Sequence, residues 1–121
     1  MKKSIALFET ILNKKYYKTE IVESESVTTS FFQIGNNKIE LVSATNNSSP
    51  IAKFLSKNRE GMHHIAFDVE NIEKEMIRLK REGIRLLNDT PKKGADNKLI
   101  CFLHPKDTNG ILIELCQDIN R

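Results

Sequence analysis

Apolar residues recur at helical spacing from the start of the chain, at Ile5, Phe8 and Ile11-Leu12, and predict a helix with almost nothing in front of it and no obvious N-cap. The pattern then changes to short β-rich runs. Tyr16 to Val22 and Val27 to Ile34 read as strands, Gly35-Asn36-Asn37 as a turn, and Lys38 to Val42 as a third strand, giving one helix and three antiparallel strands. Ala44 to Ser49 is polar and turn-rich. Ser49-Pro50 ahead of Ile51, Phe54 and Leu55 predicts a short capped helix with proline in its first turn.

Beyond that linker the order differs. Gly61 to Val69 predicts a strand, and Ile72, Met76 and Leu79 form the stripe of a helix that opens near Asn71 and stops at Gly83. Ile84 to Leu87 is expected as a strand, Asn88 to Asn97 as a loop, Leu99 to Leu103 as a strand, His104 to Gly110 as a turn, and Ile111 to Cys116 as the last strand. The second half thus reads strand, helix, strand, strand, strand, and the first half reads the same without its opening strand. Superposing the two halves on their helices and last strands places the counterpart of His64 before Met1. The expected fold is α+β: a single domain over 1–121 with module one at 1–44, a linker helix within 45–60 and module two at 61–121.

The tripeptide Ile-Glu-Leu occurs twice, at 39–41 and 113–115, in apolar runs too short for helices. Side chains alternate along a strand, so Glu40 and Glu114 each point opposite to their Ile and Leu neighbours, while His64, Ala66 and Asp68 share one face. A carboxylate in an apolar strand is costly to bury unless it is paired or binds a metal. One imidazole and two carboxylates suit a divalent cation that keeps open positions for a substrate. A strand histidine taken alone is more often structural than a ligand, and the repeat of Ile-Glu-Leu is what favours the metal reading for His64. His63 alternates to the other face, where core packing or support of its neighbour is expected. His104, ahead of Pro105, reads as a turn residue or one near the entrance for a substrate.

Composition narrows the function classes. With 121 residues, 39% hydrophobic and 29% charged, the chain has the make-up of a globular domain with a real core. Its 19 basic and 16 acidic residues are spread along the sequence, and the longest basic clusters, Lys14-Lys15 and Lys92-Lys93, are dipeptides. That disfavours nucleic acid as a partner. Lys92, Lys93 and Lys106 read as solvated loop charges, although phosphates of a ligand would suit them. No apolar stretch spans a bilayer, and Cys101 and Cys116 read as small buried hydrophobes, so no membrane association and a cytoplasmic location are expected.

Four stretches carry a resemblance: Ser49-Pro50-Ile51-Ala52-Lys53-Phe54-Leu55, Gly61-Met62-His63-His64-Ile65-Ala66-Phe67, Phe102-Leu103-His104-Pro105-Lys106 and Gly110-Ile111-Leu112-Ile113-Glu114-Leu115. In this order they closely resemble the methylmalonyl-CoA epimerases of the vicinal oxygen chelate superfamily, of the glyoxalase/bleomycin-resistance/dioxygenase type. The resemblance implies paired βαβββ modules around a divalent metal (Co²⁺, Mn²⁺, Zn²⁺ or Ni²⁺), with His64, Glu114 and Glu40 as ligands. A fourth ligand, a histidine on the first module's opening strand, has no counterpart here. It also implies an acyl-CoA substrate, a homodimer, a place in propionate metabolism, and inversion of methylmalonyl-CoA through a metal-stabilised enolate. Glu114 then serves as ligand and base. The stretch Val27 to Gln33, where some relatives carry a second acid, has none. The alternatives are a glyoxalase-like lyase and a non-catalytic small-molecule-binding module of the same fold.

Overall fold

The computed structural model describes residues 1–120 and divides the chain into two compact units, Met1–Glu60 and Gly61–Arg121. The first opens with helix α1 (Lys2–Leu12), which has no side-chain cap at its start, as the sequence anticipates, and ends at Asn13 in the left-handed conformation. A three-stranded antiparallel sheet follows, ordered β1 (Lys18–Val22), β2 (Val27–Ile34), β3 (Asn37–Ala44). Pro50–Lys57 forms α2, which packs on β3. Its cap is the expected one: the Ser49 hydroxyl accepts the Ile51 N–H at 3.1 Å, and Pro50 occupies the first turn, where a missing N–H costs nothing.

Strand β2 is buried on both faces. Phe31 is 4% exposed and Phe32 fully buried on opposite sides of it. Ser30 satisfies its hydroxyl against Thr19 Oγ1 at 3.0 Å. Thr29 does not: among the described residues its Oγ1 is the buried side-chain oxygen without a hydrogen-bond partner. A buried hydroxyl that makes no bond keeps its desolvation cost, so Thr29→Val should raise stability by about 1 kcal/mol in urea unfolding, and a loss would mean the hydroxyl is bonded in solution.

The second unit has the full βαβββ order: β4 (Ile65–Asp68), α3 (Ile72–Arg81), β5 (Lys92–Gly94), β6 (Lys98–Leu103) and β7 (Ile113–Asp118). Its sheet runs β4-β7-β6-β5, with β4 parallel to β7 and the other pairs antiparallel. A parallel neighbour needs a crossover, and α3 opens the long connection that supplies it. Asn71 caps that helix by accepting the Lys74 N–H at 3.0 Å, and Gln117 Oε1 takes the orphan Ile72 N–H at 2.7 Å. Ile72 and Met76 then pack with Cys101, Leu103 and Leu115, all from one face of the sheet, into the unit's core. The opposite face carries Glu114.

One strand differs from the expectation. Ile84 to Leu87 makes only an isolated bridge, Leu86 to Leu103, and the unit's second strand is Lys92–Gly94, inside the expected loop. The cause is local. Asn88 Oδ1 accepts the Phe102 N–H at 3.0 Å and so takes a donor that a continuing ladder would use. The real hairpin turns through Asp96 and Asn97, both at positive φ, where Asp and Asn are better tolerated than most residues. Gly94 makes room beside it for Ile100: a Cβ there would lie 2.8 Å from Ile100 Cδ1, and that side chain would have to shift.

Candidate active site

The register builds the site. Ile65 pairs with Ile113 and Ala66 with Glu114, while Phe102 faces Glu114 from the other side, so Ala66, Glu114 and Phe102 form one row on one face. The Ile65 N–H donates to Leu112 O at 3.1 Å, which fixes the residue just before β4 beside the start of β7. His64 therefore comes to Glu114: His64 Nε2 lies 3.4 Å from Glu114 Oε1, with both side chains mostly buried. The ring of His64 also meets Phe102 edge-on, centroids 5.7 Å apart, and is held by that contact as well as by the backbone.

His63 does not go to the helix-packed core. The segment ahead of β4 lies outside the ladder, so the two rings are not forced to opposite faces, and His63 Nδ1 lies 3.0 Å from His64 Nδ1. Burial, and then the neighbouring His64, lower the basicity of His63, while Glu114 opposes them. Burial pushes the Cys116 thiol up to about 11, with the Glu114 carboxylate adding to the effect, so Cys116 stays protonated near neutrality, as a packing residue should.

The Phe-Leu-His-Pro-Lys turn joins β6 to β7 and sets where Glu114 starts. His104 Nδ1 accepts the Lys106 N–H at 3.2 Å, capping the short 3₁₀ turn Pro105–Asp107. Asp107 accepts Arg85 Nε at 2.9 Å and Nη2 at 3.0 Å, and the Arg85 backbone N–H as well. These bonds hold its carboxyl at about 2, below the ordinary 3.8. A carboxyl held low stabilises the fold above its unfolded-state value and loses that contribution on acidification. The stability advantage of the parent over Asp107→Asn should therefore be full above pH 3.8 and vanish as pH falls through about 2. Urea unfolding across that range measures it, and a constant difference would contradict the pairing.

Of the three residues expected to bind metal, His64 and Glu114 stand together. Glu40 belongs to the other unit, where it pairs across the sheet with Phe31, in the row that also holds Lys18. Among the described residues no group of three His, Cys, Asp or Glu forms a metal-binding cluster. The donor pair itself fits a cation. Two ligands each about 2.0–2.2 Å from one ion can be at most about 4.4 Å apart, and an imidazole with a carboxylate suits first-row divalent metals. Phe102 was not expected in the site, although its alternation with Cys101 and Leu103 places it on the face of Glu114.

Residues 1–102 match the family described as Glyoxalase/Bleomycin resistance protein/Dioxygenase superfamily. The mitochondrial methylmalonyl-CoA epimerase of Homo sapiens is 40% identical over 118 residues, 97% of this chain and 67% of that protein. An ethylmalonyl-CoA/methylmalonyl-CoA epimerase of Cereibacter sphaeroides is 50% identical over 93 residues, 75% of this chain and 69% of its own. Among solved structures, a variant of Streptomyces coelicolor methylmalonyl-CoA epimerase in complex with 2-nitronate-propionyl-CoA superposes with a TM-score of 0.93 at 29% identity, over 98% of this chain and 87% of the other. The match over most of the chain, on the βαβββ order seen in its second unit, makes this chain a member of the Glyoxalase/Bleomycin resistance protein/Dioxygenase superfamily.

Proposed function

We propose that the protein is a methylmalonyl-CoA epimerase that uses His64 and Glu114 to hold a divalent cation. The observation that carries the reading is the 3.4 Å approach of His64 Nε2 to Glu114 Oε1 on one sheet face. The relatives named as epimerases support it. A divalent cation, when bound, supplies Lewis-acid polarisation of the acyl oxygen, which makes the neighbouring carbon more acidic.

The chain's own residues do the rest. His64 presents a ring nitrogen as donor, oriented by Phe102. Glu114 contributes one carboxylate oxygen toward His64, and the second is the group we assign to take the proton from the carbon between thioester and carboxylate. Return of a proton to the opposite face completes the inversion. Glu40, on the face of β3 opposite Ile39 and Leu41, is the third donor in this reading and is tested separately by Glu40→Ala.

Incubation with methylmalonyl-CoA in deuterated water and added Co²⁺ should exchange the α-hydrogen and interconvert the epimers. Folded protein that exchanges nothing would overturn the reading. We also propose that the protein is a cytoplasmic homodimer. Cys101 and Cys116 support the location, being free thiols on opposite faces of the sheet, and the end strand β4 supports association, since all four of its residues are exposed. Only monomer in sedimentation at micromolar concentration would refute the dimer.

No helix among the described residues is long and apolar enough to cross a membrane.

A further inference from the structure

Two ring nitrogens 3.0 Å apart, His63 Nδ1 and His64 Nδ1, cannot both carry a proton and cannot both present a lone pair without repulsion. One donates and the other accepts. A neutral imidazole has a single N–H, so if His64 is to offer the lone pair of Nε2 on the Glu114 side, its proton must sit on Nδ1. The acceptor for that proton is already in place, and it is His63.

We propose that His63 is a positioning residue for His64, fixing its tautomer and ring orientation through a single N–H···N bond between the two Nδ1 atoms. The proposal rests on the reading of His64 and Glu114 as cation donors. Three observations support it. The ring centroids are 5.1 Å apart with the two nitrogens 3.0 Å apart between them, so both nitrogens lie close to the line joining the centroids and point at each other's edge, not at a ring face. Phe102 holds His64 at 79° from a third direction, leaving its ring little freedom to flip. The 62–64 segment lies outside the ladder, which is what allows two consecutive side chains to meet.

The test uses the whole protein with two readouts. In histidine labelled with ¹⁵N, a scalar coupling across the N–H···N bond should connect the two Nδ1 nuclei at mildly alkaline pH, without any metal. His63→Phe removes the acceptor and should weaken Co²⁺ binding in calorimetry about 10- to 100-fold, the usual cost of losing the partner that orients a metal-binding histidine. His63→Asn, whose side-chain oxygen occupies nearly the place of Nδ1, should restore most of that affinity, which a purely packing role would not predict. Absence of the coupling in folded parent, or Co²⁺ binding by His63→Phe equal to the parent's, would overturn the proposal. Failure of the donor reading has a different signature: His64→Ala would bind Co²⁺ like the parent, while the coupling in the parent would still establish the His63–His64 bond.

Discussion

Glu114→Gln is expected to slow α-hydrogen exchange on methylmalonyl-CoA by about 10²- to 10⁴-fold, the contribution of a positioned proton-transfer group. Glutamine keeps the length and shape of the side chain, so the row Ala66, Glu114, Phe102 and the packing of Leu115 on the other face should survive the change. What is lost is the negative charge and the basic oxygen beside His64. Both roles assigned to Glu114, cation donor and proton acceptor, depend on those. Exchange followed by proton NMR, with circular dichroism to confirm the fold, measures the effect. An exchange rate equal to the parent's would remove Glu114 from the chemistry.

The second large effect is on stability. Ile72→Ala should cost about 2–5 kcal/mol, because the residue is 1% exposed and its loss leaves a cavity among Met76, Cys101, Leu103 and Leu115. That is a large share of the total stability of a domain, about 5–15 kcal/mol. The same substitution at Ile77, on the same helix but 61% exposed, should stay within about 0.5 kcal/mol. Urea unfolding of the two variants makes the comparison, and similar costs would mean that α3 does not pack as described. Leu115 links this core to the site, since it lies next to Glu114 on the opposite face of β7. Ile72→Ala should therefore also loosen the position of Glu114.

How much of this was legible follows from which residues carry local rules. The caps at Ser49 and Asn71, the stripe of Ile72, Met76 and Leu79, and the two Ile-Glu-Leu strands are short-range patterns, and each element they predict is present. The strand expected at Ile84 to Leu87 was not formed because a side chain, Asn88, captured the backbone donor of Phe102; apolar alternation carries no trace of such a contact. Lys92–Gly94 is not predicted by the pattern, for the complementary reason. A three-residue strand with two lysines has no hydrophobic pattern, and only Asp96-Asn97 marked the turn.

The site divides in the same way. Alternation put His64 and Glu114 on definite faces, and the parallel register of β4 with β7 brought them together. That register depends on the crossover and could not be read from either strand alone. Strand alternation allows His63 either core packing or support of its neighbour; because β4 begins only at Ile65, His63 is free to meet His64 rather than enter the core. The role proposed for Glu40 rests on the repeat and the family resemblance.

Whether His64 and Glu114 hold a cation together is tested by a calorimetric titration of the parent, His64→Ala and Glu114→Ala with Co²⁺, all shown to be folded. Saturable binding by the parent and a marked loss of affinity in each variant are expected, since each removes one member of the pair 3.4 Å apart. Variants that bind Co²⁺ as tightly as the parent would contradict shared binding.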